Sequence, residues 1–272
     1  MMSNLSMQAS LPPAANQDQP RVTFLTERNT LRVASVILLL LAWQIAGMMT
    51  DPYILPTPVE VAVAWWQLTV SGELITAAGA SVFVFILGFA LALVLGIPLG
   101  IATGVSQPLR DFFDTYVTIF WSTPSIALLP LLVVWFGLTL ETKLVLVFLS
   151  AFWPLVINTQ VGIQNVEKSY IEVANAFGAT RLETLRHVLF PASVPYLVAG
   201  IRIAVGRAII GVIVAELFTS VTGLGARMTY YSNFFQVANY FAALLVFILF
   251  SVAATEAARL SSIASTGGAP SN

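Results

Sequence analysis

The stretch GFALALVLGIPLGIATG, from Gly88 to Gly104, belongs to an apolar run that extends from about Ala77 to Thr103. A helix needs about 20 mostly apolar residues to cross a bilayer, and this run is long enough. Small residues recur within it at every fourth position: Gly88, Ala92, Gly96, Gly100 and Gly104. Such residues form a strip on one helix face, where another backbone can approach closely. The run therefore predicts a membrane span that packs along this strip against a second helix of the same subunit.

The composition of the whole chain is that of a membrane protein. Of its 272 residues, 58% are hydrophobic and 9% are charged, whereas a soluble domain carries about 25% charged residues. The net charge of −1 provides no basic surface that would attract nucleic acid. The chain has no cysteine and one histidine, which excludes disulfides and thiolate or histidine-rich metal sites. We predict no metal site and no nucleic-acid partner.

Five further apolar runs bring the number of predicted transmembrane helices to six. They extend from Val33 to Met49, from near Phe112 through the interrupted stretch WSTPSIALLPLLVVWFG, from Leu144 to Thr159, from Val194 to Thr219, and from Phe241 to Ala254. The segment after the first run, DPYILPTPVEVAVAWWQLTVSGE, begins with prolines and carries two adjacent tryptophans. These features are typical of a helix that lies at the membrane interface. The predicted fold class is an all-α integral membrane protein with one interfacial helix after the first span.

The distribution of lysine and arginine predicts the orientation of the chain, because these residues favour cytoplasmic loops. An internal N-terminus places Arg21, Arg28, Arg32, Arg110, Lys168, Arg181, Arg186 and Arg259 in the cytoplasm and only Lys143 and Arg227 outside. We expect a cytoplasmic tail over residues 1–30, a transmembrane domain over 31–260 and a second cytoplasmic tail over 261–272. The first twenty residues are polar, so they predict a tail and not a signal peptide.

A polar segment, EVANAFGATRLETLRHVLFP from Glu172 to Pro191, interrupts the apolar chain on the predicted cytoplasmic side. The patterns that begin at Ser169 and at Thr180 each have the form of a capping box, with glutamate three residues later. Gly178 lies between them and suits a left-handed helix end. Pro191 is expected to end the second helix. Residues 164–192 are thus predicted to form a rigid helix–glycine–helix element.

The first of these short helices carries small and apolar side chains, among them Val173, Ala174, Ala176 and Phe177. Such side chains are unusual on a surface that remains in water, and they favour a docking surface for another protein. The alternative is a loop that folds back on its own membrane domain.

These residues resemble the EAA loop of ABC-importer permeases, whose pattern is E-A-A, three residues, G, nine residues, and I-x-L-P. Here the pattern is Glu172-Val173-Ala174, three residues, Gly178, nine residues, and Val188-Leu189-Phe190-Pro191. The chain departs at Val173, Val188 and Phe190, and each replacement is apolar. The runs LPTPVEV, GIPLGIATG, LLPLLVVWFG, VAELF and TGLG are also similar to runs of permeases that import nitrate, sulfonates and taurine.

The resemblance implies a multi-pass permease of the bacterial inner membrane, with both termini cytoplasmic, in an ATP-driven importer. It implies a second copy of the permease, two ATPase subunits and a periplasmic substrate-binding protein as partners. The residues implied in ATPase docking and coupling are Glu172, Val173, Ala174, Phe177, Gly178 and Pro191. The chain is then a transport subunit and not an enzyme.

The positions of the lysines also bear on the energy source of transport. Neither of the two lysines, Lys143 and Lys168, follows a glycine, so the chain contains no phosphate-binding loop of the form G-x-x-x-x-G-K-[ST]. If transport is driven by ATP, both ATP and Mg²⁺ are expected on a separate ATPase subunit, and we predict no cofactor on this chain.

Polar groups at membrane depth are the candidates for the translocation pathway: Ser122, Thr123, Ser125, Asn158 and Glu216. Proline and hydroxyls at a helix break are tolerated beside a cavity, although a kinked packing helix is an equal alternative. Glu216 either faces a water-filled cavity or anchors a periplasmic loop. Arg202 and Arg207 either attract an anionic substrate or serve the structure.

Two other functional classes make different predictions for the sequence. An ATP-independent secondary transporter or channel is the alternative, and it predicts inverted repeats and polar residues clustered at the midplane, which the sequence does not show convincingly. A membrane-embedded enzyme would need converging acid, base or metal-binding groups. The substrate stays open among nitrate, sulfonates, taurine and heterocyclic vitamin precursors.

Overall fold

The computed structural model describes residues 23–219 and 221–265, and within these ranges the chain contains helices and no strand. The helices are α1 (Thr23–Met48), α2 (Pro58–Val70), α3 (Glu73–Val105), α4 (Gln107–Ser122), α5 (Leu129–Phe136), α6 (Leu140–Gln164), α7 (Lys168–Ala176), α8 (Arg181–Thr184), α9 (Phe190–Thr219), α10 (Leu224–Asn233) and α11 (Val237–Ser265). A 3₁₀ turn (Ser125–Leu128) precedes α5, and a π turn (Leu185–Leu189) joins α8 to α9. The predicted tails lie largely outside the described residues, although α1 and α11 each include a few of their positions.

Five described helices are long and apolar enough to cross a membrane: α1, α3, α6, α11 and the continuous helix that α8 and α9 form together. The pair α4 and α5 is bent by 88° and supplies a sixth span if it is counted as one. The break falls after Ser122, inside the run that the sequence marks as interrupted. The prediction of an all-helical membrane protein is confirmed.

The core is built from α3, α6 and α9. Ala92 of α3 and Ala151 of α6 are fully buried there. A Cβ atom added to Gly88 would lie 2.7 Å from the Cβ of Val147, and one added to Gly100 would lie 2.6 Å from the Cβ of Thr159. The small-residue strip therefore packs against α6 of the same chain, as predicted, because only small residues let two helix backbones approach this closely.

Helix α2 forms at the position predicted for the interfacial helix. The hydrogen bonds of its first turn explain the presence of Thr57, Pro58 and Glu60. The backbone N–H of Thr57 donates to the Glu60 carboxylate at 2.8 Å, and the Glu60 N–H donates to the Thr57 hydroxyl at 3.3 Å. This capping box, with Pro58 as the first helical residue, satisfies the exposed backbone donors of the helix start. Val63 and Trp66 are exposed on α2, which fits the predicted placement at the membrane interface.

Helix α10 was not predicted as a separate element, and side-chain contacts attach it to the start of α3. The Glu73 carboxylate lies 3.2 Å from the Arg227 guanidinium and accepts a hydrogen bond of 2.7 Å from the Tyr231 hydroxyl. Burial raises the pKa of the Tyr231 phenol, and the bond to Glu73 raises it further. The phenol therefore stays protonated and remains a donor at physiological pH.

Candidate functional site

The turn between α7 and α8 follows from Gly178, whose φ is +75°. The Ala179 N–H donates to the carbonyl of Ala174 at 3.0 Å, and the Gly178 N–H donates to the carbonyl of Asn175 at 3.0 Å. These two bonds form a Schellman motif, which satisfies the last carbonyls of α7 and requires a left-handed residue at this position. The predicted helix-ending role of Gly178 is confirmed.

Of the two predicted capping boxes, the one at Thr180 is present and the one at Ser169 is wrong. The Glu183 N–H donates to the Thr180 hydroxyl at 3.3 Å, and the Thr180 N–H donates to the Glu183 carboxylate at 2.7 Å. Ser169, in contrast, does not cap α7, because the helix begins at Lys168 and Glu167 is its N-terminal flanking residue. The Ser169 side chain lies within the first turn and donates to the Glu167 carboxylate at 3.2 Å.

The expectation that Pro191 ends the second helix is also wrong. The helix is continuous from Arg181 to Thr219, and a π turn precedes the proline. In this turn the Phe190 N–H donates to the carbonyl of Leu185, five residues earlier. The wider turn accommodates a residue that has no N–H and whose ring crowds the preceding turn. As a result, α8 and α9 form one continuous helix.

The α7–α8 segment, here residues 168–191, has exposed apolar side chains. Phe177 is 88% exposed, Leu182 is 72% exposed and Val173 is 56% exposed. Ala174 is half-buried, and Glu172 and Pro191 are exposed. Among the described residues, α7 packs mainly on α8 and the π turn. Within the described part of the chain, the segment is therefore not packed broadly against the membrane spans.

The break between α4 and α5 borders a cavity of about 230 Å³. Its lining residues come from the break, from α6 and from α9: Pro124, Ser125, Ile126, Ser150, Arg207 and Ile210. Of the five predicted pathway residues, Ser125 lines the cavity and the other four do not. Ser122 is exposed at the end of α4, and the Thr123 hydroxyl donates to the carbonyl of Ile119 at 2.8 Å.

Asn158 serves helix packing. Its amide donates to the carbonyl of Pro154 at 2.8 Å. Its Cβ lies 2.7 Å from the position that a Cβ on Gly200 would take, so it occupies the close contact between α6 and α9.

Glu216 has the contacts of a loop anchor. It is fully buried, and its Oε2 atom accepts a hydrogen bond of 2.8 Å from the Ser81 hydroxyl and one of 3.0 Å from the Gly225 N–H. Of the two interpretations of this carboxylate, the geometry supports the loop anchor, because both hydrogen-bond donors to the side chain belong to α3 and the start of α10.

Lys143 supports the same loop, a role that the sequence reasoning missed. It is 2% exposed, and its Nζ atom donates to the carbonyl of Thr222 at 2.8 Å and to the Thr222 hydroxyl at 2.9 Å. The available signal was a lysine in the first turn of an apolar span, since such a charge needs a partner.

Sequence reasoning also missed Ser150, which lines the cavity, and Trp121, which contacts Arg207. Ser150 is the sole hydroxyl between Thr142 and Thr159, and this isolation in an apolar run was a usable signal. The guanidinium of Arg207 lies 5.2 Å from the centre of the Trp121 ring. No spacing rule connects these two residues, because they lie on helices far apart in the chain.

The helical bundle, its broken span and its exposed α7–α8 segment together indicate the membrane subunit of a transporter. Residues 96–261 match the model of the family described as "Binding-protein-dependent transport system inner membrane component". This match covers more than half of the chain. The chain therefore belongs to this family, and it is a permease subunit of an ABC importer; the family operates with an ATPase and a binding protein.

Two relatives and one solved structure illustrate the similarity. SsuC of Escherichia coli (strain K12), named for aliphatic sulfonates transport, is 33% identical over 235 residues, which are 85% of this chain and 89% of that protein. The riboflavin transport system permease protein RibX of Chloroflexus aurantiacus is 34% identical over 221 residues, 80% of this chain and 82% of that protein. The inward-facing MetNI methionine ABC transporter shares the fold, with a TM-score of 0.63 and 19% identity over 72% of this chain and 98% of that one.

Proposed function

We propose that the chain forms, as a homodimer, the translocation pathway of an importer in the bacterial inner membrane. Each copy binds one ATPase subunit through the α7–α8 segment, and a periplasmic binding protein delivers the substrate. ATP and Mg²⁺ are held by the ATPase, and both termini lie in the cytoplasm. The continuous helix from Arg181 to Thr219 carries this proposal, because its first turns contact α7 and expose Leu182, and it continues into a core span.

The docking residues are Glu172, Val173, Ala174, Phe177, Gly178 and Pro191. Phe177 and Val173 supply exposed apolar area of the kind that marks a protein–protein contact. Half-buried Ala174 lets a partner surface approach closely. Gly178 fixes the angle between α7 and α8. A movement of the docked ATPase subunits would be transmitted through the π turn to α9 without a flexible joint.

The proposed substrate is a small organic anion of the sulfonate class, since the relative named for aliphatic sulfonates covers 85% of the chain. Riboflavin is the second candidate, because the relative named for it is 34% identical. Proteoliposomes that contain the permease, its ATPase and its binding protein distinguish these substrates when they are offered labelled ethanesulfonate or riboflavin.

Uptake of ethanesulfonate that requires ATP and the binding protein supports the proposal, and riboflavin uptake supports the second candidate. Equal uptake by the permease alone would instead support an ATP-independent transporter. The orientation is tested with cysteine variants of a chain that has no native cysteine: impermeant reagents outside intact cells should label Asn239→Cys and not Asn175→Cys.

A further inference from the structure

Arg207 is an arginine at membrane depth. At a rise of 1.5 Å per residue, it lies about 26 Å from Phe190 and about 18 Å from Thr219 along α9. Within the apolar run from Val194 to Thr219, Arg207 is thirteen residues from one end and twelve from the other, so it lies near the middle of the part of α9 that fits a hydrocarbon core about 30 Å thick. Its side chain is exposed on the surface of the protomer. A charge in such a place faces a water-filled cavity or a protein interior, because exposure to lipid is costly.

Among the described residues, Arg207 has an aromatic neighbour and no carboxylate within ion-pair distance. The Trp121 ring, 5.2 Å away, stabilises the cation and holds its position. Neither the Arg227–Glu73 pair nor the Arg259–Glu256 pair involves Arg207. The positive charge is thus positioned but not neutralised by the described part of the chain.

Arg207 lines the cavity at the helix break, together with the hydroxyl-bearing residues Ser125 and Ser150. The Ser150 hydroxyl donates to the carbonyl of Leu146 at 2.8 Å, so Ser125 is the better placed second donor. A guanidinium and a hydroxyl are the groups that recognise planar or tetrahedral oxyanions. A cavity of about 230 Å³ is below the range of about 300–1,000 Å³ for drug-sized ligands, which suits an anionic head group.

We propose that Arg207, with Ser125 beside it, is the anion-contacting site of the translocation pathway. The site recognises the sulfonate or a similar oxyanion head group as the substrate passes the break between α4 and α5. This inference rests on the proposed function and specifies its substrate-binding residue.

The test uses the full transporter with a Ser125→Cys permease in nanodiscs, and the chain contains no other thiol. Labelling rates are measured with anionic sulfonatoethyl methanethiosulfonate and with cationic trimethylammonioethyl methanethiosulfonate. A charged cleft raises the local concentration of counter-ions by about 10- to 1,000-fold. Adding Arg207→Gln should therefore lower the anionic-to-cationic rate ratio by at least about tenfold, while Arg207→Lys should preserve most of it.

Two controls make the result specific. Arg202→Gln removes another exposed arginine of α9, about 140° around the helix, and should leave the ratio unchanged. The exposed position of Ser71→Cys should show a ratio that is insensitive to Arg207. The proposal is overturned by a thiol at position 125 that neither reagent reaches, by an unchanged ratio in Arg207→Gln, or by an equal fall in Arg202→Gln.

The outcome is independent of the proposed substrate, because the labelling requires no transport. Failure of ethanesulfonate uptake together with an arginine-dependent ratio would refute the substrate class and keep the anion site. Uptake of ethanesulfonate together with an unchanged ratio would refute the anion site alone.

Discussion

The carboxylate of Glu216 in α9 accepts a hydrogen bond of 2.8 Å from the hydroxyl of Ser81 in α3. The same hydroxyl accepts a bond of 2.9 Å from the Leu224 N–H at the start of α10. Two core spans and the next helix are therefore connected through one buried oxygen. With Lys143 bound to Thr222, this cluster holds the connection between α9 and α10 in place.

Replacing Ser81 with alanine should destabilise the protein. The change removes the hydrogen bond to the buried Glu216 carboxyl group and leaves the Leu224 N–H without its partner, at a cost of about 1–3 kcal/mol in the free energy of unfolding. Ser35→Ala, at an exposed position on α1, should stay within about 0.5 kcal/mol. Unfolding in mixed micelles measures both, and equal stabilities would contradict the structural role of this bond.

The contact between α3 and α6 can be tested at Gly100. A Cβ there would lie 2.6 Å from the Cβ of Thr159 and 2.7 Å from the carbonyl of Val156. Gly100→Ala should therefore cost about 1–3 kcal/mol through overpacking. Gly79→Ala in the same helix meets nothing within 4 Å and should be neutral or slightly stabilising. Thermal unfolding of the two purified variants compares them; a stable Gly100→Ala protein would refute the close packing.

Substitutions of Gly178 should be tolerated in the order in which the new residues accept a left-handed backbone conformation. A Cβ at this position meets nothing within 4 Å, so a loss in Gly178→Val would arise from the positive φ and not from a clash. The left-handed conformation costs about 1–2 kcal/mol for an ordinary residue, and asparagine visits it more readily. Substrate uptake should therefore fall further in Gly178→Val than in Gly178→Asn. The reverse order would show that the angle between α7 and α8 is unimportant for coupling.

The docking face is tested at Ala174. Ala174→Arg adds bulk and an unpaired charge at the proposed contact, and should weaken ATPase binding by about 2–4 kcal/mol. Ala174→Ser keeps the side chain small and should bind the ATPase more tightly than Ala174→Arg does. Co-purification and the Kd of the ATPase report the effect, and both variants should insert normally because α7 lies outside the spans. Undiminished ATPase recovery with Ala174→Arg would place the docking surface elsewhere.

Local patterns were sufficient to predict the membrane class, the small-residue strip and the turn at Gly178. Each depends on neighbours within one helix or one turn: a long apolar run needs lipid, small residues four apart share a face, and a glycine between two helices accepts a positive φ. For the same reason the capping box at Thr180 could be predicted. Ser169 was assigned wrongly, because α7 starts two residues earlier than its capping-box pattern indicates.

The roles of Glu216, Lys143 and Arg207 depend on partners far away in the chain. Glu216 is a loop anchor because Ser81, 135 residues earlier, meets it across a helix interface, and no periodicity specifies that meeting. Arg207 borders a cavity because the break after Ser122 brings Ser125 beside α9. Pro191 is accommodated by a π turn, whose wider hydrogen bonds are not encoded by any single residue. Charges and prolines in apolar helices can be recognised in the sequence, but packing between helices selects the groups that satisfy them.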